Sequence, residues 1–317
     1  RLAGRPMIAH VLSSLTALSP KETAVVIAPH MEEVRQVCSQ ALAGCRFAVQ
    51  DKQLGTGHAV RCGLQTLSAD SDVTLVLYGD TPMISAGTLR ELLHAHRTQK
   101  AAISLLAMKL DDPTGYGRLV MNEPPHVDRI VECKDATPEE KAIGWVWGGV
   151  MAFDSAFLKQ AITALKPSAA TGEFYLTALL EAARQAGKKN LMVKVSPLEV
   201  TGINDRVQLA EAEKIMQDKL RKAAMEQGAT LIDPNTVYLQ PDTKLASDVV
   251  IHPNVVLGAG VVVESGVEIR SFCHIDGAHI KSGAIVGPFA RLRPGAIIGQ
   301  EAQVAAGENA AQVAVER

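Results

Sequence analysis

The chain has 317 residues, 47% of them hydrophobic and 21% charged, with a formal net charge of −2. That length supports a sizeable core and, by average domain size, two domains. The near-neutral charge gives no basic footprint for DNA or RNA, and an aromatic content of 4% argues against base stacking as a main device. No apolar run approaches the ~18 residues of a membrane span, and no secretory leader is evident. Cys38, Cys45, Cys62, Cys133 and Cys273 lack metal-type spacing and fit free thiols in a reducing cytoplasm.

The chain opens at Arg1 and not at a methionine, so its natural beginning is expected upstream. Pro6 to Leu18 predicts a helix with Met7, Ile8, Val11, Leu12 and Leu15 on one face. Ala24 to Ala28 predicts a strand, Met31 to Ala43 a helix and Arg46 to Gln50 a weaker strand. The loop Asp51 to His58 then feeds a helix from about Ala59 to Leu67. Val73 to Leu77 is a continuous apolar run, the pattern of a strand buried on both faces in a parallel sheet. Gly79 and Pro82 stop it and leave Asp80 at its carboxyl end, where ligands sit in open α/β sheets. A carboxylate there suits Mg²⁺ shared with substrate phosphates, and equally suits a turn.

Ala86 to Arg97 predicts a helix and Ala102 to Met108 a strand. Leu119 to Met121 and Val127 to Cys133 read as hairpin strands, and Trp145 to Phe153 as another strand. Ala156 to Leu165 and Tyr175 to Ala186 are helical, Leu191 to Val195 is a strand, and Val207 to Gln227 is a long charged helix. Strands alternating with helices argue for βαβ units. From Val249 the period changes. Ile251, Leu257, Val263, Ile269 and Ile275 recur every six residues, and after a slip of one the series resumes at Ile280, Val286, Leu292, Ile298 and Val304. Repeats too short to bury their own face are the signature of a β-helical solenoid. The expected division is an α/β domain over 1–228, a linker over 229–246 and a solenoid over 247–317.

Taken singly, the polar motifs stay ambiguous. Gln53-Leu-Gly-Thr-Gly-His58 could offer backbone N–H groups to an anion or a base edge, or be a plain tight turn. His58 reads as a packing or capping residue, with no proton-transfer role. Glu132-Cys-Lys-Asp135 ends a strand with polar groups that solvation alone would explain. Asn204 is either the N-cap of the following helix or an oxygen ligand to a metal, and capping is the reading sequence alone prefers. Arg291 and Arg293 share one side of a coil, where solvated arginines are the default. No Ser/His/Asp order, CxxC, HExxH or Walker loop is present.

As an ordered set, Gln50 with Gln53-Leu-Gly-Thr-Gly-His-Ala59, Leu77-Tyr-Gly-Asp-Thr-Pro82, Asp111-Asp-Pro-Thr-Gly-Tyr-Gly-Arg118, Ile130-Val-Glu-Cys-Lys-Asp-Ala136, Gly172-Glu-Phe-Tyr-Leu-Thr177 and Gly202-Ile-Asn204 resemble one family. It is the bacterial bifunctional N-acetylglucosamine-1-phosphate uridyltransferase/glucosamine-1-phosphate acetyltransferase family. The six-residue repeats and Gly287-Pro-Phe-Ala-Arg-Leu-Arg-Pro-Gly295 are similar to its left-handed parallel β-helix, so the likeness runs from residue 1 to about 296. The resemblance implies an α/β, Rossmann-like nucleotidyltransferase with a mostly parallel sheet, followed by that β-helix. The implied reaction joins UTP and N-acetylglucosamine 1-phosphate to UDP-N-acetylglucosamine and pyrophosphate with Mg²⁺. Asp80 and Asn204 match the family's metal ligands. Gln50, Gly55 and Thr56 match the uracil loop, Tyr78 and Gly79 lie beside nucleotide and sugar, and Gly117 and Glu132 match sugar contacts. Acetyl-CoA and a homotrimer belong to the parent family, and no nucleic acid, membrane or protein nucleophile is implied.

The chain departs from that pattern in three places. The family's first strand and Gly-rich loop, with the Arg and Lys that hold the triphosphate, have no counterpart before Leu2, so a sheet position is expected to be empty. Trp147 stands where the family has a sugar-contacting Asn, and Ala178 where it usually has an Asp. After Ala296 the Lys pair, catalytic His and Asn-Tyr-Asp-Gly segment of the acetyltransferase site are missing, and Arg293 alone matches a substrate contact there. The chain is therefore expected to be a uridyltransferase piece truncated at both ends. Its rivals are a non-catalytic nucleotide-binding or oligomerising remnant and a pyrophosphorylase for another sugar phosphate such as glucose 1-phosphate.

Overall fold

The computed structural model describes residues 1–169 and 171–304, with the backbone of 309–310. Two compact units emerge. One is Pro6–Asn204, and the other joins Arg1–Arg5 to the chain from Asp205 onward.

The Pro6–Asn204 unit begins with α1 (Met7–Thr16), β1 (Ala24–Ile27), α2 (Glu32–Ala41), β2 (Arg46–Val49), α3 (Thr56–Thr66) and β3 (Val73–Val76). It continues with α4 (Ala86–Gln99), β4 (Ile103–Lys109), β5 (Arg118–Val120), β6 (Arg129–Val131), α5 (Pro138–Lys141) and β7 (Trp145–Asp154). Last come α6 (Ser155–Ala164), a 3₁₀ turn at Leu176–Ala178, α7 (Leu179–Gln185), β8 (Asn190–Lys194) and α8 (Pro197–Val200). The elements expected from periodicity are therefore present in order. β4 is buried along nearly its whole length, as a central strand covered on both faces must be. It pairs parallel with β8 and antiparallel with β7, and β5 and β6 extend the same sheet antiparallel.

β3 corrects an expectation. Among the described residues it pairs only with β7, antiparallel, and its residues are half-buried, not sealed on both faces. β1 and β2 form a separate parallel pair. An apolar run reports burial potential, whereas pairing is chosen by segments far away in sequence, here β7. The helix after the Gly-rich loop also starts three residues earlier than expected, at Thr56, because Gly55 takes φ +94° and turns the chain directly into the first helical turn.

In the second unit, α9 (Arg206–Glu226) precedes strands β9 (Thr230–Leu231) to β20 (Gln303–Val304), two residues each, and a last pairing at Asn309–Ala310. They stack as three parallel sheets, one per face of a parallel β-helix. Val250 pairs with Glu268, 18 residues on, so one coil is three six-residue repeats. Val262 pairs with His279, 17 on, because the coil around Gly277 is one residue shorter. That is the slip seen in the sequence. All ten apolar repeat positions from Ile251 to Val304 are at most 3% exposed. The repeat thus continues to Val304, past the point near Ala296 where the family likeness fades. Residues 305–308 and 311–317 of the unusual tail lie outside the described residues. Leu2 is fully buried, and the Ala3 amide donates to Glu213 of α9 at 2.6 Å.

Candidate active site

At the carboxyl end of β3 the chain runs Tyr78-Gly79-Asp80. The Ile203 amide donates to the Asp80 carbonyl at 2.9 Å, which ties this turn to the loop carrying Asn204. Gly202 leaves open the space between the two side chains: a Cβ there would stand 3.5 Å from Asp80 Oδ2 and 3.8 Å from the Asn204 carboxamide. Asn204 does not cap α9. Asp205 does, accepting the Gln208 amide at 2.8 Å. Both residues suit an N-cap, so sequence could not choose between them, and Asn204 is left to share the spot beside Asp80. Asp80 Oδ1 is buried without a hydrogen-bond partner, and burial raises its carboxyl above the usual range. An oxygen acceptor desolvated and unsatisfied in this way is suited to a hard cation. Among the described residues no group of three or more His, Cys, Asp or Glu could hold a metal. The pair therefore fits an ion that takes its remaining ligands from water and substrate.

Beside Asp80 lies a second cluster. Trp147 is placed by an irregularity where β7 shifts register against β4, and Gly149, at φ +78°, lets the strand bend there with Tyr78 packed against it. The Trp147 and Tyr78 rings meet edge to face, centroids 5.7 Å apart. The Trp147 indole Nε1 is buried with no hydrogen-bond partner. Burial pushes the Tyr78 phenol well above its ordinary range, with Asp80 and Glu132 adding to the shift. Glu132 accepts from the Thr177 hydroxyl at 3.4 Å, and burial raises its carboxyl too. Gly117 packs over this group, since a Cβ would fall 2.7 Å from Ile130 and 3.6 Å from Glu132 Oε2.

The Gly-rich loop is braced by a segment that carried no assigned role in the sequence reading. The Gly57 amide donates to Phe174 O at 2.7 Å and the Phe174 amide to Leu54 O at 2.8 Å, while the Leu176 amide donates to the Thr56 hydroxyl at 3.0 Å. A Cβ on Gly55 would strike Phe174 O at 2.8 Å. Gln50 Nε2 donates to Gly55 O at 3.2 Å and to His58 Nδ1 at 3.0 Å. His58 thus orients the Gln50 carboxamide, a positioning role that depends on Gln50 folding back across the loop. Gln50, Gly55, Thr56, Tyr78 and Gly79 line one cavity, and Tyr78, Asp80, Asn204, Glu132, Gly117 and Trp147 gather at the end of β3. Arg293 belongs to the other unit, exposed on the β-helix.

A strand-end carboxylate, a glycine loop opening a helix and a mixed sheet define a nucleotidyltransferase. Residues 1–192 match the model of the MobA-like NTP transferase domain. In solved structures, UDP-glucose pyrophosphorylase complexed with UDP-glucose superposes with a TM-score of 0.54 at 14% identity, over 68% of this chain and 88% of that one, a likeness of fold. The bifunctional protein GlmU of Azorhizobium caulinodans is 42% identical over 304 residues, 96% of this chain and 67% of the relative. That of Xanthobacter autotrophicus is 44% identical over 294 residues, 93% of this chain and 65% of the relative. The chain belongs to the bifunctional GlmU family and spans about two thirds of the length of these curated relatives.

Proposed function

We propose that the Pro6–Asn204 unit transfers uridylyl from UTP to N-acetylglucosamine 1-phosphate, giving UDP-N-acetylglucosamine and pyrophosphate in the cytoplasm, on the way to cell-wall precursors. The observation that carries this reading is the meeting of Asp80 and Asn204 at the end of β3, directly after Tyr78 and Gly79 in the chain. Asp80 and Asn204 would hold Mg²⁺, which when bound supplies charge neutralisation and alignment of the phosphates. Gln50, Gly55 and Thr56 receive the uracil edge, the loop held in shape by Phe174 and His58. Glu132, Gly117 and Trp147 receive the sugar. Trp147 offers one N–H donor and an apolar ring in place of a carboxamide, so sugar recognition leans more on Glu132 and on ring contact. The attacking phosphate is already anionic, so the side chains need only hold it in line with the α-phosphorus and exclude water. Glutamate and aspartate here bind and orient; none takes a proton from the nucleophile. Acetyl transfer belongs to the parent family's β-helix; of that site this chain carries Arg293 alone.

Pyrophosphate release with UTP, Mg²⁺ and N-acetylglucosamine 1-phosphate tests the reading. Turnover is expected, with glucose 1-phosphate the poorer acceptor. Nucleotide binding without turnover would instead support the non-catalytic remnant, and a preference for glucose 1-phosphate would reassign the sugar.

A further inference from the structure

The Gln50 carboxamide can be oriented from its neighbours alone. One of its terminal atoms stands 3.2 Å from Gly55 O. A backbone carbonyl only accepts, so that atom is the amide nitrogen, and Oε1 lies on the other side. The nitrogen carries two hydrogens. Gly55 O takes one, and His58 Nδ1, 3.0 Å away, takes the second. His58 Nδ1 is therefore an acceptor, which places the proton of the neutral imidazole on Nε2. That proton has a partner as well. Cys62 lies one turn further along α3, on the same face as His58, and its Sγ is 3.8 Å from Nε2. A thiol sulfur accepts weakly, so every link from Gly55 O to Cys62 agrees on one direction. The Phe174 ring lies beside the imidazole, centroids 6.4 Å apart, and the Arg61 guanidinium sits over that ring at 4.9 Å. The atom left over in this row is Gln50 Oε1, to which nothing donates among the described residues.

We infer that His58 decides which nucleobase the loop accepts. As the Nε2–H tautomer, backed by Cys62, it holds Gln50 with the nitrogen inward and Oε1 as a fixed acceptor. A reversed carboxamide would set Oε1 against Gly55 O and the bare Nδ1, two repulsions in place of two hydrogen bonds. Oε1 can therefore pair only with a base that donates from its ring edge. Uracil carries N3–H there, whereas cytosine has a bare nitrogen. Cytosine would leave two acceptors facing each other, and an unmade hydrogen bond of this kind separates ligands that differ little in shape. His58 acts through Gln50 and is a positioning residue. The inference deepens the proposed function and rests on its reading of the loop.

The full chain tests this in two ways. Nitrogen-15 NMR of the histidine rings at about pH 8, where an ordinary imidazole is neutral, should show His58 protonated at Nε2 and bare at Nδ1. The signal is assigned by its loss in His58→Asn. Calorimetric titration in Mg²⁺ should show UTP binding at least roughly 10-fold more tightly than CTP. His58→Leu removes the acceptor, and the ratio should fall several-fold toward parity. His58→Asn puts Oδ1 where Nδ1 stood and should restore the preference. A residue that merely packed would weaken both nucleotides alike. Protonation of His58 at Nδ1, an unchanged ratio in His58→Leu, or equal losses for both nucleotides would overturn the inference. If wild type bound neither nucleotide, the proposed function would fail and the base reading with it. UTP binding with an unmoved ratio would instead remove His58 alone.

Discussion

A single carboxylate shows how burial converts a common turn residue into a candidate ligand. Asp80 Oδ1 is buried without a hydrogen-bond partner in the protein, and burial raises its pKa, so the ionised carboxylate carries a cost there that a bound cation would offset. Asp80→Ala should therefore separate function from stability. We expect Mg²⁺-dependent pyrophosphate release to fall by roughly 10²-fold or more, while the melting temperature stays within about 2 °C of wild type or rises. Near-normal turnover would return Asp80 to the role of turn former. The aspartate's position was legible because a strand end is visible in sequence. Asn204 was legible only through the family resemblance, since an asparagine there suits a cap as well as a ligand, and the bond from the Gln208 amide to Asp205 shows which residue caps α9. The work of His58 was not legible, since it depends on Gln50 folding back across the loop.

Elements were legible where their signal is local. The helices and the solenoid announce themselves through spacings of a few residues, and even the shortened coil at Gly277 appeared as a slip in the repeat. Strand partners were not, because β3 finds β7 across nearly eighty residues and nothing in Val73–Val76 encodes an antiparallel neighbour. A second long-range tie lends itself to a pH test. His96 in the last turn of α4 is buried and bonds through Nδ1 to Ser104 on β4 at 2.9 Å. Burial first, with Arg97 assisting and Asp154 opposing, holds its folded pKa below the reference value of 6.5. A base with a depressed folded pKa binds fewer protons folded than unfolded, so stability rises with pH across that interval. The contribution is complete above 6.5 and is lost as pH falls through 6.5 towards the folded value. Urea denaturation of wild type and His96→Gln over this range should show a shallower pH slope for the variant. Parallel slopes would remove His96 from the account.

Across the whole molecule, the apolar cores are made of different residues. The β-helix cluster runs from Ala224 to Val304, whereas the clusters of the Pro6–Asn204 unit lie around β4, β7 and α1. The first is a stack in which each coil rests on its neighbours through repeated pairings 17 or 18 residues apart. The second gathers segments from across two hundred residues. Cores that differ this much in residues and in topology should differ in melting temperature, and calorimetry is expected to resolve two transitions. The proposed nucleotide site draws every one of its residues from the Pro6–Asn204 unit. UTP with Mg²⁺ should therefore move one transition and not the other. At about 100 times the dissociation constant the linkage is worth about 2.7 kcal/mol, or roughly 5–10 °C for a unit of this size. If both transitions moved together, nucleotide binding would draw on both units. If neither moved at saturating UTP and Mg²⁺, the cluster at the end of β3 would not be a nucleotide site.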